Sequence, residues 1–144
     1  MWSKLVRWIG ERWRALSKKR DLGRRGEDAA ARFLRRLGYK IVARGDSAGP
    51  GELDLVAVDG RTVVFVEVKT RKSDEQGLPS EAVDLEKQRR LTRAALAFLK
   101  RHRLLEYSAR FDVVSITWPA DRRRPEIEHV VGAFEAVGFD GFYS

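Results

Sequence analysis

The stretch GELDLVAVDGRTVVFVEVKTR, residues 51–71, sets three charged residues, Asp54, Glu67 and Lys69, among valines and leucines that read as core. Unpaired charges in such segments cost several kcal/mol, so these three need one another or a cation. Two carboxylates that share one ion suit Mg2+ or Mn2+, hard cations that keep part of their water and bridge to a phosphate. Such an ion polarises a phosphoryl oxygen and lowers the pKa of an attacking water. A lysine beside it orients or deprotonates that water, or steadies the charge that develops. The set suffices for metal-assisted hydrolysis of a phosphodiester, and it uses no histidine and no cysteine, of which the chain has none.

Whether the three converge depends on a hairpin. A two-residue Asp59-Gly60 turn pairs Val58 with Arg61, Val56 with Val63 and Asp54 with Phe65. Opposed residues share a face, and side chains alternate along each strand. In this register Asp54, Glu67 and Lys69 project from one face, with Glu67 diagonally across from Asp54 and Glu52 on the same side. The other face, Leu53, Leu55, Ala57, Val64, Val66 and Val68, is wholly apolar. A bulge would change this register. Two plainer accounts stay open: Lys69 neutralising Glu67 at a solvated strand end, or a face simply open to water.

The elements around the hairpin follow from periodicity and punctuation. Residues 22–37 carry Ala29, Ala30, Phe33, Leu34 and Leu37 on one side of a helix that Gly38 stops. Residues 39–44 form a short strand, 45–51 a loop, 52–59 and 61–70 the hairpin strands, and 71–80 a polar, mobile connection. The longest helix spans 81–102, followed by a strand at 110–118, a basic turn at 121–125 and an edge strand at 126–131. This order predicts an α/β protein, a mixed sheet flanked by helices. One domain over 21–136 is expected, with a tail at 137–144 and an N-terminal amphipathic helix at 1–20.

That N-terminal helix holds most of the charge. Residues 1–26 contain nine Lys/Arg against Glu11 and Asp21, which is +7 of the chain's net +8. Trp2, Leu5, Val6, Ile9, Trp13 and Leu16 form an apolar stripe, with Lys4, Arg7, Arg14 and Lys18 opposite. A basic, tryptophan-bearing helix grips nucleic acid, an anionic membrane surface or a protein partner, or packs its stripe on its own domain. No apolar run is long enough to cross a bilayer, and the first residues lack the apolar core of a secretion signal. With the absence of cysteine, this predicts a cytoplasmic protein.

Asp54, twelve intervening residues, then Glu67-Val68-Lys69 resembles the D…(D/E)xK signature of the PD-(D/E)xK nuclease superfamily. The blocks Gly26-Glu27-Asp28-Ala29-Ala30, Gly51–Leu55 and Phe65–Arg71 resemble the bacterial YraN family. So do Lys87-Gln88-Arg89-Arg90 and Arg110-Phe111-Asp112-Val113-Val114, and the similarity runs from about Gly23 to Ala136. The resemblance implies a restriction-endonuclease-like (tRNA-endonuclease-like) fold, similar to archaeal-type Holliday junction resolvases. It adds Glu27, on the first core helix, to the metal set of Asp54 and Glu67. It also implies a two-fold dimer, as resolvases use on a four-way junction, for which the N-terminal helix is one candidate interface.

Other residues enter with their plainer readings. Glu27 also suits the positive end of its helix dipole. Gln88 falls on the apolar stripe of the long helix with Leu91, Ala95 and Phe98, where it bonds either the active site or scissile phosphate, or a backbone carbonyl. Arg71, Lys72, Arg89 and Arg90, with Arg93, are candidate phosphate contacts or a solvated face. Asp112 reads as a structural acceptor, and His102 and His129 stand alone. Two functions follow: a Mg2+-dependent endonuclease acting on nucleic acid, DNA that is branched or flapped, through Asp54, Glu67, Lys69, Glu27 and Gln88; or a nucleic-acid-binding or adaptor module that keeps the fold without the chemistry.

Overall fold

The computed structural model describes residues 4, 6–7, 25–46, 53–72, 83–119 and 123–137, all but Asp46 and Lys72 with their side chains. Helix α1 (Arg25–Arg36) is followed by strands β1 (Lys40–Asp46), β2 (Leu53–Asp59) and β3 (Thr62–Lys72). Helix α2 (Leu85–Arg101), β4 (Ala109–Trp118) and β5 (Glu126–Phe134) complete the order. The five strands form one mixed sheet in the order β1-β2-β3-β4-β5. β3 and β4 run parallel, joined across α2, and the other three pairs are antiparallel.

Each helix covers one face of the sheet. Ala30 and Leu34 of α1 pack on Leu55, Ala57, Val64, Val66, Val114 and Ile116. Leu91, Ala95 and Phe98 of α2 pack on Val56, Val63, Phe65, Phe111 and Val113. Phe65 meets Phe98 edge-on at 5.8 Å, and Phe111 stacks on Phe134 at 4.6 Å. The alternation of β2 and β3 thus serves two cores at once, as a sheet buried on both sides requires.

The helix ends are set locally. Gly38 adopts φ +95°, its N–H bonds the Arg35 carbonyl, and the Tyr39 N–H bonds the Leu34 carbonyl. This pair of bonds closes α1 and turns the chain into β1. At the start of α2 the Asp84 carboxylate accepts the Lys87 N–H at 2.8 Å. Buried Gly26 brings the first turn of α1 against β3, where an added Cβ would lie 2.0 Å from Thr70 Oγ1.

The hairpin register differs from the expected one. Asp59 pairs with Thr62, Val58 with Val63 and Val56 with Phe65, so the loop is Gly60-Arg61. Gly60 takes φ +62° as the first loop residue. The change moves each partner by two positions, which keeps every side chain on its face. One expectation fails at the start of β2: Leu53 joins the α2-side core with Phe65 and Leu91, although Leu55 lies on the α1 side. The two-residue alternation breaks at Asp54.

Lys4, Val6 and Arg7 are helical, and Val6 is buried in the α2-side core. The rest of the expected N-terminal helix, its tryptophans, the 73–80 part of the polar connection and the tail beyond 137 lie outside the described residues. Among the described residues, no helix is long and apolar enough to cross a membrane.

Candidate active site

Where β2 loses its alternation, the Asp54 carboxylate takes over from the backbone. Its Oδ2 accepts the Val68 N–H at 2.9 Å, one step past the last regular pair, Leu55 with Val66. This bond turns Asp54 toward β3, where Glu67 is buried on the α2 face beside Leu53, Phe65 and Leu91. Lys69 follows on the same strand, its Nζ 4.0 Å from Glu67 Oε1. Asp54, Glu67 and Lys69 therefore converge, through a break in the strand as well as through shared alternation.

The electrostatics are those of a cluster short of positive charge. Burial, then the neighbouring Glu67 and Glu27 carboxylates, push Asp54 up to about 8, against the pull of the Val68 N–H. Glu27, in the first turn of α1, thus lies within electrostatic reach of the pair. Burial and the adjacent Lys87 ammonium push Lys69 below the usual lysine value, opposed by Glu67 and Asp54.

Lys87 is the residue that sequence reasoning missed. Its Nζ lies 2.7 Å from Glu67 Oε1, closer than Lys69. Burial pushes the Lys87 ammonium down, but its hydrogen bonds to Glu67 and Lys69 outweigh this and leave it raised. The signal for it was its place beside Gln88 in the Lys87-Gln88-Arg89-Arg90 block. Ser115 is a second addition, level with Lys69 on β4, its buried hydroxyl without a hydrogen-bond partner among the described residues.

The remaining candidates fall further out. Gln88 donates from Nε2 to the Val83 carbonyl at 3.1 Å, the backbone bond that was one of its two expected roles. Arg71 is half-buried near the end of β3, whereas Arg89, Arg90 and Arg93 are exposed along α2. The Lys72 side chain and Glu52 lie outside the described residues.

The chemistry of the donor set fits a divalent cation in part. Asp54 and Glu67 present the two carboxylates that Mg2+ needs when water fills its other positions. A dication there would offset the burial and the carboxylate repulsion that raise Asp54. However, among the described residues no three acidic or histidine side chains are grouped closely enough to hold a metal by themselves. Glu27 belongs to the electrostatic surroundings in this arrangement.

A second charged cluster lies on the α1 face, from Asp59 at the hairpin end to Asp112 level with Val66. Arg110 Nε lies 3.0 Å from Asp112 Oδ1, and its NH1 and NH2 reach Asp59 and the Tyr39 hydroxyl at 3.2 and 2.7 Å. Asp112 also accepts the Gly132 N–H at 3.0 Å and contacts His129 Nε2 at 2.8 Å. Asp112 is a structural acceptor, as expected. His129 is not isolated: it contacts this carboxylate between the rings of Phe33 and Tyr39.

Comparison with known proteins places all of this within one family. Residues 26–116 match the model of the uncharacterised protein family UPF0102, a span that holds Glu27, Asp54, Glu67, Lys69 and Lys87. A UPF0102 protein of Rhodopirellula baltica is 49% identical over 92% of this chain and 81% of its own length. One of Geobacter sulfurreducens is 51% identical over 79% of this chain and 88% of its own. One of Caldicellulosiruptor saccharolyticus is 42% identical over 81% and 98%.

Proposed function

The chain belongs to the UPF0102 family, the YraN-like group its sequence blocks resemble, and from that premise we propose that it is a Mg2+-dependent nuclease with a restriction-endonuclease-like core. The observation that carries the reading is the convergence of Asp54, Glu67 and Lys69 at one break in the β2–β3 ladder. A divalent ion held by Asp54 and Glu67 would polarise the phosphoryl oxygen and acidify a water. The Val68 N–H fixes Asp54, and the buried wall of Leu53, Phe65 and Leu91 fixes Glu67 and limits access of bulk water. Lys69, its pKa lowered, holds or takes a proton at Nζ beside the attacking water. Lys87 adds positive charge beside the transferred phosphate.

One observation favours a second reading. Lys87 already supplies Glu67 with a cation at 2.7 Å, as it would in a binding module whose carboxylates are neutralised from within. The deciding experiment is cleavage of a labelled panel: single strand, duplex, flap, four-way junction and structured RNA. It is run with Mg2+, Mn2+ or EDTA, on wild type, Glu67→Ala and Lys69→Ala. Metal-dependent cutting lost in both variants establishes the nuclease. Tight binding with no cutting under any metal establishes the binding module.

A further inference from the structure

A cleft of about 590 Å3 lies between α1 and the β4–β5 edge of the sheet, and its walls are strongly basic. Arg25, Arg32 and Arg36 line it from α1, and Arg123 and Arg124 line it from the approach to β5. Trp118 forms an aromatic wall, with the Arg25 guanidinium 4.5 Å above its ring. Asp28, also in the lining, is bonded to Arg44, so its charge is already neutralised. None of these arginines was among the phosphate contacts expected from the sequence.

The spacing suits a polyanion. Arg25, Arg32 and Arg36 fall seven and four residues apart, on one face of α1. They span about 16 Å of helix axis, or roughly five nucleotides at the 3.4 Å rise of a stacked strand. The volume, about 590 Å3, is in the range of small-ligand pockets, which a nucleotide unit of a strand can enter while its neighbours run along the rim. An arginine already stacked on an indole offers a plane on which a base can continue the stack. One end of the cleft approaches the strand that carries Glu67 and Lys69. Arg25 adjoins the turn that carries Gly26 and Glu27, and Trp118 lies level with Lys72, three residues beyond Lys69 on β3.

We propose that this cleft is a subsite for an unpaired nucleic acid strand, its phosphates on Arg32, Arg36, Arg123 and Arg124 and a base on the Trp118–Arg25 stack. The course of the strand toward Asp54 and Glu67 rests on the nuclease reading; binding in the cleft does not.

The test is binding of a labelled oligothymidine and of a matching duplex in EDTA, by fluorescence anisotropy across a salt series. The variants are Arg32→Gln/Arg36→Gln and Arg123→Gln/Arg124→Gln. The control is Lys40→Gln/Lys100→Gln, which removes the same charge from exposed sites outside the cleft. Each cleft pair is expected to weaken single-strand binding roughly tenfold and to flatten the slope of log K against log salt by about 1.4, with the control changing neither. Trp118→Leu weakens the strand while leaving the salt slope unchanged. The proposal is overturned if the control pair costs as much, if duplex binds as tightly as single strand, or if a free nucleoside monophosphate binds as tightly as the oligomer. Cleavage in Mg2+ separates the two readings. If Glu67→Ala abolishes cutting while the cleft variants bind the strand normally, the cleft fails and the nuclease stands. If the cleft variants lose the strand while no metal supports cutting, the reverse holds.

Discussion

Asp54 and Asp112 are both aspartates in strands of one sheet, yet Asp112 is pulled below the ordinary carboxylate value and Asp54 is pushed up to about 8. Burial opposes ionisation at both. At Asp112 it is outweighed by His129, the Arg110 guanidinium and the Gly132 N–H. At Asp54 it is reinforced by Glu67 and Glu27, and the Val68 N–H opposes them. Around Asp112 the sheet encloses a charge that is fully answered, and around Asp54 it assembles charges that repel. The first arrangement stabilises a fold. The second costs stability and is what a site for an external cation or substrate requires.

The largest expected effect tests that contrast directly. Asp112→Ala leaves Arg110 without its main partner in a part-buried setting, and should cost about 3–5 kcal/mol by urea denaturation. Asp54→Asn relieves repulsion, and should leave stability unchanged or raise it by up to about 1 kcal/mol while abolishing metal-dependent activity. Equal losses in the two variants would end the comparison.

The pH dependence sharpens it. Asp54 has its folded pKa raised from 3.8 to about 8, so its protonated form stabilises the fold below the unfolded value, and that contribution is lost as pH rises toward 8. Asp112 has its folded pKa lowered, so its contribution is present above 3.8 and is lost as pH falls through the folded value. Thermal melts of Asp54→Asn should lose the decline between about pH 4 and 8 and keep the acid one. Added Mg2+ should remove the same decline from wild type, because a neighbouring cation favours the ionised carboxylate. A decline that survives Asp54→Asn would place its origin elsewhere.

Much of the contrast could be read from the sequence. The alternation of residues 53–69 identified the two core faces, and the charges stood out because they interrupt it. The register was not legible, because Gly60 can serve either loop position, and only the structure puts it first. The shift of two positions kept the faces, so the convergence survived the error. Lys87 escaped because helical periodicity marks the odd polar residue on a stripe, which is Gln88. A long side chain one position away reaches Glu67 without lying on that stripe. The Asp112–His129 contact escaped because it joins residues 17 apart across β4 and β5, past a register shift between Phe111 and Val113 that no local pattern announces.

Gly26 tests how the two faces are tied together. Gly26→Ala sets a methyl 2.0 Å from Thr70 Oγ1, so either the Thr70 hydroxyl rotates away or α1 shifts from β3. A cost of about 1–3 kcal/mol is expected, with weakened activity where α1 shifts, because Glu27 and the Arg25 end of the basic cleft move with the helix. Thr70→Ala added to it should restore most of both, since the nearest remaining Thr70 atom would be Cβ at 3.3 Å. Failure of that rescue would mean that the close approach does not position the helix.

The smallest effect concerns Lys87, and its sign decides what that residue is for. Its ammonium, 2.7 Å from Glu67 Oε1, competes with any cation that the carboxylates would take. If the carboxylates form a metal site, Lys87→Ala should tighten Mn2+ binding by about 1 kcal/mol, roughly fivefold by titration calorimetry, while slowing cleavage. Lys69→Ala should affect binding less, because its Nζ is 4.0 Å from the same oxygen. If Lys87 instead serves as the permanent counter-ion of an inactive cluster, its loss lowers the melting temperature and Mn2+ binds no better. The two outcomes separate a site that awaits a cation from one that already has its own.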